Sequence, residues 1–208
     1  MIKTVLFDVD GVLLDSFEAN LVFYQNLFNK FGYIGPTKEE YKKMHHLTMI
    51  DVIRKITKID NEDKIKKIWQ VGKSREVRYP DELLKTPKNL KKILFQLSKK
   101  YQLGIVTSRV RGGLFKISVL KEFENNFKVV VYFDDTKNHK PNPEPILFAL
   151  RKLKLKPSEV VYIGDAESDI IASKAAGVKI IFYSKEKNNE ADFWTDSFDK
   201  IPTILKKL

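Results

Sequence analysis

Five short runs rich in β-branched residues constrain this chain most: Lys3–Phe7, Leu103–Thr107, Lys128–Tyr132, Val160–Gly164 and Val178–Phe182. Their apolar residues are nearly continuous and do not alternate with polar ones, which predicts strands buried on both faces. Between the last four runs lie helical patterns over 111–124, 143–153 and 168–176. Strand, helix and strand in repetition predict an α/β fold, with a parallel sheet covered by helices on both sides in three layers. Asn142 can cap the middle helix, with Pro143 at its first position, where no amide donor is needed. Gly177 is a left-handed stop for the helix before the last strand.

The stretch from residue 16 to about 101 breaks this alternation. It holds amphipathic patterns over 16–31, 38–46, 49–56, 61–79 and 88–101 and no comparable strand. The last pattern reads as the crossover helix into the second strand, and the others exceed what one crossover needs. An inserted helical domain over 17–84 is therefore expected, within a core formed by 1–16 and 85–208. Pro80 and Pro87 mark breaks at its exit. The tail beyond Ser184, with Phe193, Trp194 and a short helix holding Ile204 and Leu205, is expected to pack on the sheet edge.

The chain has 208 residues, 43% of them apolar, enough for a full core. It has no cysteine, which excludes disulfide frameworks, thiolate zinc sites and cysteine nucleophiles. No apolar run reaches a membrane span and no signal peptide opens the chain, so a soluble cytoplasmic protein without a membrane partner is expected. The 38 Lys and Arg outweigh 27 Asp and Glu, giving +11. That excess fits either an anionic partner or a lysine-rich solvated surface. The lysines are scattered, often beside acids, and form no basic arm; the surface reading is preferred and no nucleic-acid partner is expected.

In an open parallel sheet, ligands bind beyond the carboxyl ends of the strands. The first run ends in Asp8-Val9-Asp10-Gly11, the second in Thr107-Ser108, the third leads to His139-Lys140-Pro141, and the fourth ends in Gly164-Asp165 with Asp169 four residues on. Three carboxylates, a hydroxyl and an ammonium meeting at one crevice describe a magnesium-assisted phosphoryl-transfer site. Asp8 and Asp165 are the hard oxygen ligands that suit Mg²⁺, and Asp8 can attack phosphorus. Asp10 can act as general acid and then general base. Thr107 and the Ser108 amide can hold phosphoryl oxygens, with Lys140 as a point charge. Asp169 is assigned to orientation through hydrogen bonds. Each station alone also has an ordinary reading: Asp-Val-Asp-Gly as a strand-ending turn, and Asp169 as a helix-start charge.

Taken together, in this order and each after a strand, these stations resemble the motifs of the haloacid-dehalogenase-like phosphohydrolases. Asp8-Val9-Asp10-Gly11-Val12 resembles the first motif, Thr107 the second, Lys140 the third and Gly164-Asp165 through Asp169 the fourth. The resemblance implies a Rossmann-like core with Asp8 as nucleophile, forming an aspartyl-phosphate, Asp10 as acid and base, and Mg²⁺ held by Asp8, Asp165 and the backbone carbonyl of Asp10. The helical insertion is similar to the substrate-selecting cap of the branch that includes phosphoglycolate phosphatases, pyrophosphatases and β-phosphoglucomutases. The expected activity is phosphate release from a small phosphorylated metabolite by a monomer or homodimer. A sugar-phosphate mutase and a pyrophosphatase stay open, as does a non-catalytic anion- or nucleic-acid-binding protein. Asp10 argues against a dehalogenase, and the absence of a histidine near Asn20 argues against a mutase. His45, His46, Lys73, Arg75 and Arg78 are candidates for substrate contacts. Arg109 and Arg111 are candidates for holding a second anionic group.

Overall fold

The expected runs pair into one sheet, together with a short strand near the C-terminus. The strands are β1 (Thr4–Phe7), β2 (Gln102–Val106), β3 (Phe127–Val131), β4 (Val160–Gly164), β5 (Lys179–Tyr183) and β6 (Phe193–Thr195). The computed structural model describes residues 1–74, 76–112 and 114–208. Among the described residues all strand pairs are parallel, in the order β3-β2-β1-β4-β5-β6. Leu6 of β1 lies opposite Gly104 of β2 and Tyr162 of β4. The chain leaves β1 toward β2 and β3 and then returns to its other side at β4. The carboxyl end of β1 is therefore the switch point of the sheet, where the loops on its two sides diverge.

The chain divides into two units, Met1–Asp15 with Thr86–Leu208, and Ser16–Lys85. The second is helical: α1 (Phe17–Lys30), α2 (Lys38–Lys42), α3 (Met49–Thr57) and α4 (Glu62–Ser74). Thr37 opens α2 with a capping box: its hydroxyl accepts from the Glu40 amide, and the Glu40 carboxylate accepts from the Thr37 amide. Thr48 caps α3 by accepting from the Asp51 amide. A buried cluster including Phe23, Leu27, Phe28, Tyr41, Ile53, Ile65 and Ile68 joins the four helices. The expected helix over 61–79 ends early. The Ser74 hydroxyl donates to the Val71 carbonyl at 3.1 Å and accepts the Glu76 amide, local bonds that compete with another helical turn.

In the sheet unit, period-2 alternation sends neighbouring strand residues to opposite faces. Leu6, Val106, Val131, Tyr162 and Ile180 form one core with Ile146, Ala149 and Leu150 of α7 (Glu144–Leu153) and Ile170 and Ala172 of α8 (Glu167–Ala175). On the other face, α5 (Leu90–Ser98) lies on β2, and the Phe7 ring meets Phe198 with centroids 6.5 Å apart. Each such large apolar side chain contributes about 1.5–3 kcal/mol when buried. The sheet is thus the middle of three layers. The chain closes with α9 (Ile201–Leu205).

Three expectations change here. The helix expected over 111–124 is a 3₁₀ turn (Leu114–Lys116), one turn of helix, α6 (Ser118–Lys121), and another 3₁₀ turn (Glu124–Asn126). Leu114, Ile117, Leu120 and Phe123 are all buried. Their three-residue spacing fits i to i+3 turns better than a 3.6-residue repeat. The tail does more than pack on the edge, because β6 pairs with β5, Ile181 opposite Phe193. The start of α7 shifts by one residue: Pro143 is the capping residue, and the Asn142 side-chain oxygen accepts from the Glu144 amide at 2.9 Å. Gly177 has φ +69 as a left-handed stop. No helix of the described residues is long and apolar enough to cross a membrane.

Candidate active site

Asp8 leaves the end of β1 with its amide donating to the Ile163 carbonyl at 2.9 Å. The chain then turns tightly, with the Leu13 and Leu14 amides both bonding to the Val9 carbonyl at 2.9 Å and the Gly11 amide bonding to Leu14 at 2.7 Å. Gly11 sits at φ +77, where other residues are strained. A Cβ there would stand only 1.8 Å from Asp165 Oδ2. Gly11 therefore supplies both the turn and the space that the Asp165 carboxylate fills from β4. Gly164 does the same for Asp169, whose Cβ would lie 2.4 Å from a Cβ at position 164.

Lys140 reaches this point from the loop after β3, across a cis bond to Pro141. Its ammonium is 2.9 Å from Asp8 Oδ2, 2.7 Å from Asp169 Oδ1 and 3.0 Å from the Tyr162 hydroxyl. Three partners match its three donors. The Tyr162 hydroxyl lies within bonding range of the Val106 carbonyl and of Asp169 as well. Asp169 is fully buried, and its other oxygen accepts from the amides of Asp165 (3.2 Å) and Ala166 (3.1 Å). Both Asp169 oxygens are thus engaged inside the protein. Asp8 Oδ1 accepts from the Val9 amide at 2.7 Å.

The electrostatics follow from burial. Desolvation pushes the Asp8 carboxyl up to about 7, with Lys140 opposing and Asp169 adding to the rise. Asp165 is raised well above the usual carboxylate range by burial, then by Asp169 and Asp8. Burial alone would lower the Lys140 ammonium, but Asp169 and Asp8 hold it well above the ordinary lysine value. One ammonium does not neutralise these acids. Asp8, Asp165 and Asp169 each place a carboxylate oxygen within 4.8 Å of the others, a set that could hold a metal ion. With Asp169 engaged by Lys140, Tyr162 and two amides, Asp8 and Asp165 are the carboxylates best placed as ligands. Hard oxygen donors around unneutralised negative charge fit Mg²⁺.

Thr107 follows β2 and is buried; its amide bonds to the Val131 carbonyl, and its hydroxyl oxygen accepts from the Arg109 amide at 3.2 Å. That leaves the hydroxyl proton to be donated. Ser108, next in the loop, is exposed. The Asp10 carboxylate lies outside the three-acid group and meets Arg109 in a fork, Nε to Oδ2 at 2.8 Å and Nη2 to Oδ1 at 2.7 Å. The Arg111 guanidinium turns elsewhere, to Asp135 and over the Tyr132 ring, while its backbone amide donates to the Asp134 carboxylate.

A family model described as haloacid dehalogenase-like hydrolase matches residues 5–183, a span that contains every one of these stations. The chain belongs to the haloacid dehalogenase-like hydrolases. Within that family it is 30% identical to pyrophosphatase PpaX of Bacillus cereus, over 100% of this chain and 98% of the relative. Among solved structures, a HAD-superfamily hydrolase of subfamily IA from Geobacter sulfurreducens is 26% identical with a TM-score of 0.72, covering 98% of this chain and 96% of that one. CbbY from Rhodobacter sphaeroides, solved with phosphate, is 22% identical and shares the fold with a TM-score of 0.83, covering 97% and 96%.

Reading the sequence missed Tyr162 and left Arg109 outside the site. Tyr162 carried a signal, since a hydroxyl in a run as apolar as Val160–Ile163 must find partners when buried. The substrate-contact candidates of the helical unit make contacts inside that unit. The His45 ring packs against Phe17 and His46, Lys73 lies over Trp69, and Arg78 pairs with Glu82 at 3.0 Å. Arg75 lies outside the described residues.

Proposed function

We propose that this hydrolase is a Mg²⁺-dependent phosphatase that releases phosphate from a small phosphorylated metabolite through an aspartyl-phosphate on Asp8. The observation that carries the reading is the approach of the Asp8, Asp165 and Asp169 carboxylates to within 4.8 Å around the buried Lys140 ammonium. A cluster with no task would be costly, because buried like charges repel and lose hydration.

An Asp8 oxygen forms a bond to phosphorus as the bond from phosphorus to the leaving oxygen breaks. Asp10 gives its proton to that oxygen, then takes one from the water that attacks the aspartyl-phosphate and frees inorganic phosphate. Thr107 and the Ser108 amide donate to the phosphoryl oxygens, and Lys140 adds positive charge. Asp169 and Tyr162 are positioning residues that hold Lys140. Asp8, Asp165 and the Asp10 carbonyl are the proposed Mg²⁺ ligands, and the bound ion would neutralise charge between carboxylate and phosphoryl group. The sheet unit carries the chemistry, and the helical unit is assigned the choice of substrate.

Phosphate release from an aryl phosphate tests the reading. Activity should require Mg²⁺ and vanish with EDTA. Asp8→Asn should lower kcat by about 10⁴-fold or more, the size expected for removing a nucleophile. Activity that persists in either condition would refute the proposal.

A further inference from the structure

We infer that Arg109 is the positioning residue of Asp10: its guanidinium fixes the Asp10 carboxylate for proton exchange with the leaving oxygen, and the 107–109 segment thereby sets the proton donor and the phosphoryl contact relative to each other. The inference rests on the proposed roles of Asp8, Asp10 and Thr107.

Asp10 needs a hold that its own segment does not give. It stands in the tight turn after β1, bridged only to Leu14, and its side chain is 32% exposed. Its carboxylate lies outside the group formed by Asp8, Asp165 and Asp169. Burial first, and then charged neighbours that include Asp10, raise the Asp8 and Asp165 carboxyls. The acid that must serve the leaving oxygen is therefore repelled by the acids beside it, and repulsion alone gives it no single place.

The fork supplies that place. Arg109 Nε donates to Asp10 Oδ2 at 2.8 Å and Nη2 to Oδ1 at 2.7 Å, and two parallel bonds fix the plane of a carboxylate as well as its position. They use one lone-pair site on each oxygen, whereas an ionised carboxylate has about four in all, so the grip is compatible with proton exchange. Arg109 is itself braced. Its amide donates to the Thr107 hydroxyl at 3.2 Å, its carbonyl accepts from the Phe133 amide at 3.0 Å, and its side chain is 19% exposed. Three consecutive residues thus carry the proposed phosphoryl contact at one end and the grip on the acid at the other. Such alignment matters for rate, since a catalytic group misplaced by about 1 Å can cost about 10²-fold.

The test measures kcat/KM for two esters with different leaving groups, in Mg²⁺. Nitrophenyl phosphate has a leaving group that needs little help from a proton, and phenyl phosphate has one that needs more. kcat/KM reports transfer to Asp8 and not the later attack of water. The chains compared are wild type, Arg109→Gln, Arg109→Lys, Asp10→Asn, the Arg109→Gln and Asp10→Asn double variant, and Asp8→Asn. Arg109→Gln should lower the phenyl value by about 10²-fold and the nitrophenyl value by about tenfold less, the pattern of a misplaced general acid. Asp10→Asn should lower the two values in the same unequal way, and adding Arg109→Gln to it should lower neither further. Arg109→Lys keeps the charge and loses the fork; it should fall between wild type and Arg109→Gln, and it carries the comparison if the glutamine variant does not fold. Equal losses on both esters, or a full further loss in the Asp10→Asn background, would overturn the inference, as would failure of both Arg109 variants to fold; in each case the phosphatase reading would stand. An Asp8→Asn chain that keeps its activity, or a wild type that hydrolyses neither ester, would remove that reading and the inference with it.

Discussion

Two glycines define the site by what they lack. At position 11 a methyl group would meet Asp165 Oδ2 at 1.8 Å, and the backbone is at φ +77. Gly11→Ala must both strain the turn and displace the carboxylate. We expect it to cost about 1–3 kcal/mol of stability and to abolish most phosphate release, read by thermal melting and a phosphate assay on the same preparation. An alanine variant with wild-type activity would show that Asp165 has no need of its observed place. The turn at Gly11 was legible in the sequence, because Asp-x-Asp-Gly after an apolar run admits few alternatives. The carboxylate behind it was not, since the near neighbour comes from the loop after β4, more than 150 residues away. Tyr162 went unassigned, and Arg109 was a candidate for an anionic group with no partner named, for the same reason. Each meets partners, Lys140 and Asp169 for the one and Asp10 for the other, that only the fold brings near.

At the scale of elements, the loop that delivers Lys140 is held by the first residue of α7. Glu144 accepts from the amides of Lys137 (3.1 Å) and Asn138 (2.9 Å) and from the Asn138 side chain (2.8 Å). The Lys137 amide bond, followed by those from Asn138, keeps the Glu144 carboxyl below its ordinary value of 4.5. A depressed acid stabilises the fold above its unfolded pKa, and that contribution fades as pH falls through the folded value. Glu144→Gln should therefore unfold at lower urea than wild type at neutral pH, and the gap should close below pH 4.5. A gap that is constant through acid would show that Glu144 acts without its charge. Elements themselves were legible wherever one physical pattern dominated: β1 to β5 each fall within one residue of their apolar runs. The region after β2 was not, because buried residues three apart satisfy a helical pattern nearly as well as the 3₁₀ turns it forms. β6 was short enough to pass for packing, and pairing with β5 alone makes it a strand.

For the whole molecule, the site is a stability cost as well as a chemical asset. Asp8, Asp165 and Asp169 are brought together in a largely buried place, and burial with mutual repulsion raises the first two. Removing one of these charges should relieve the fold. In EDTA, Asp165→Asn should melt above wild type, by about 2–4 °C for each kcal/mol of repulsion removed in a domain of this size. Added Mg²⁺ should raise the wild-type melting temperature, since a ligand that binds only the folded state stabilises it by mass action. The variant, lacking a proposed ligand, should gain much less. The two arms test different links of one argument: an Asp165→Asn chain that melts below wild type in EDTA would show that repulsion does not govern stability here. A wild type unmoved by Mg²⁺ would show that the relief comes from elsewhere. Both expected results together would make the acids a strained apo site that a cation completes, with stability given up in the free protein to hold a charge that phosphoryl transfer needs.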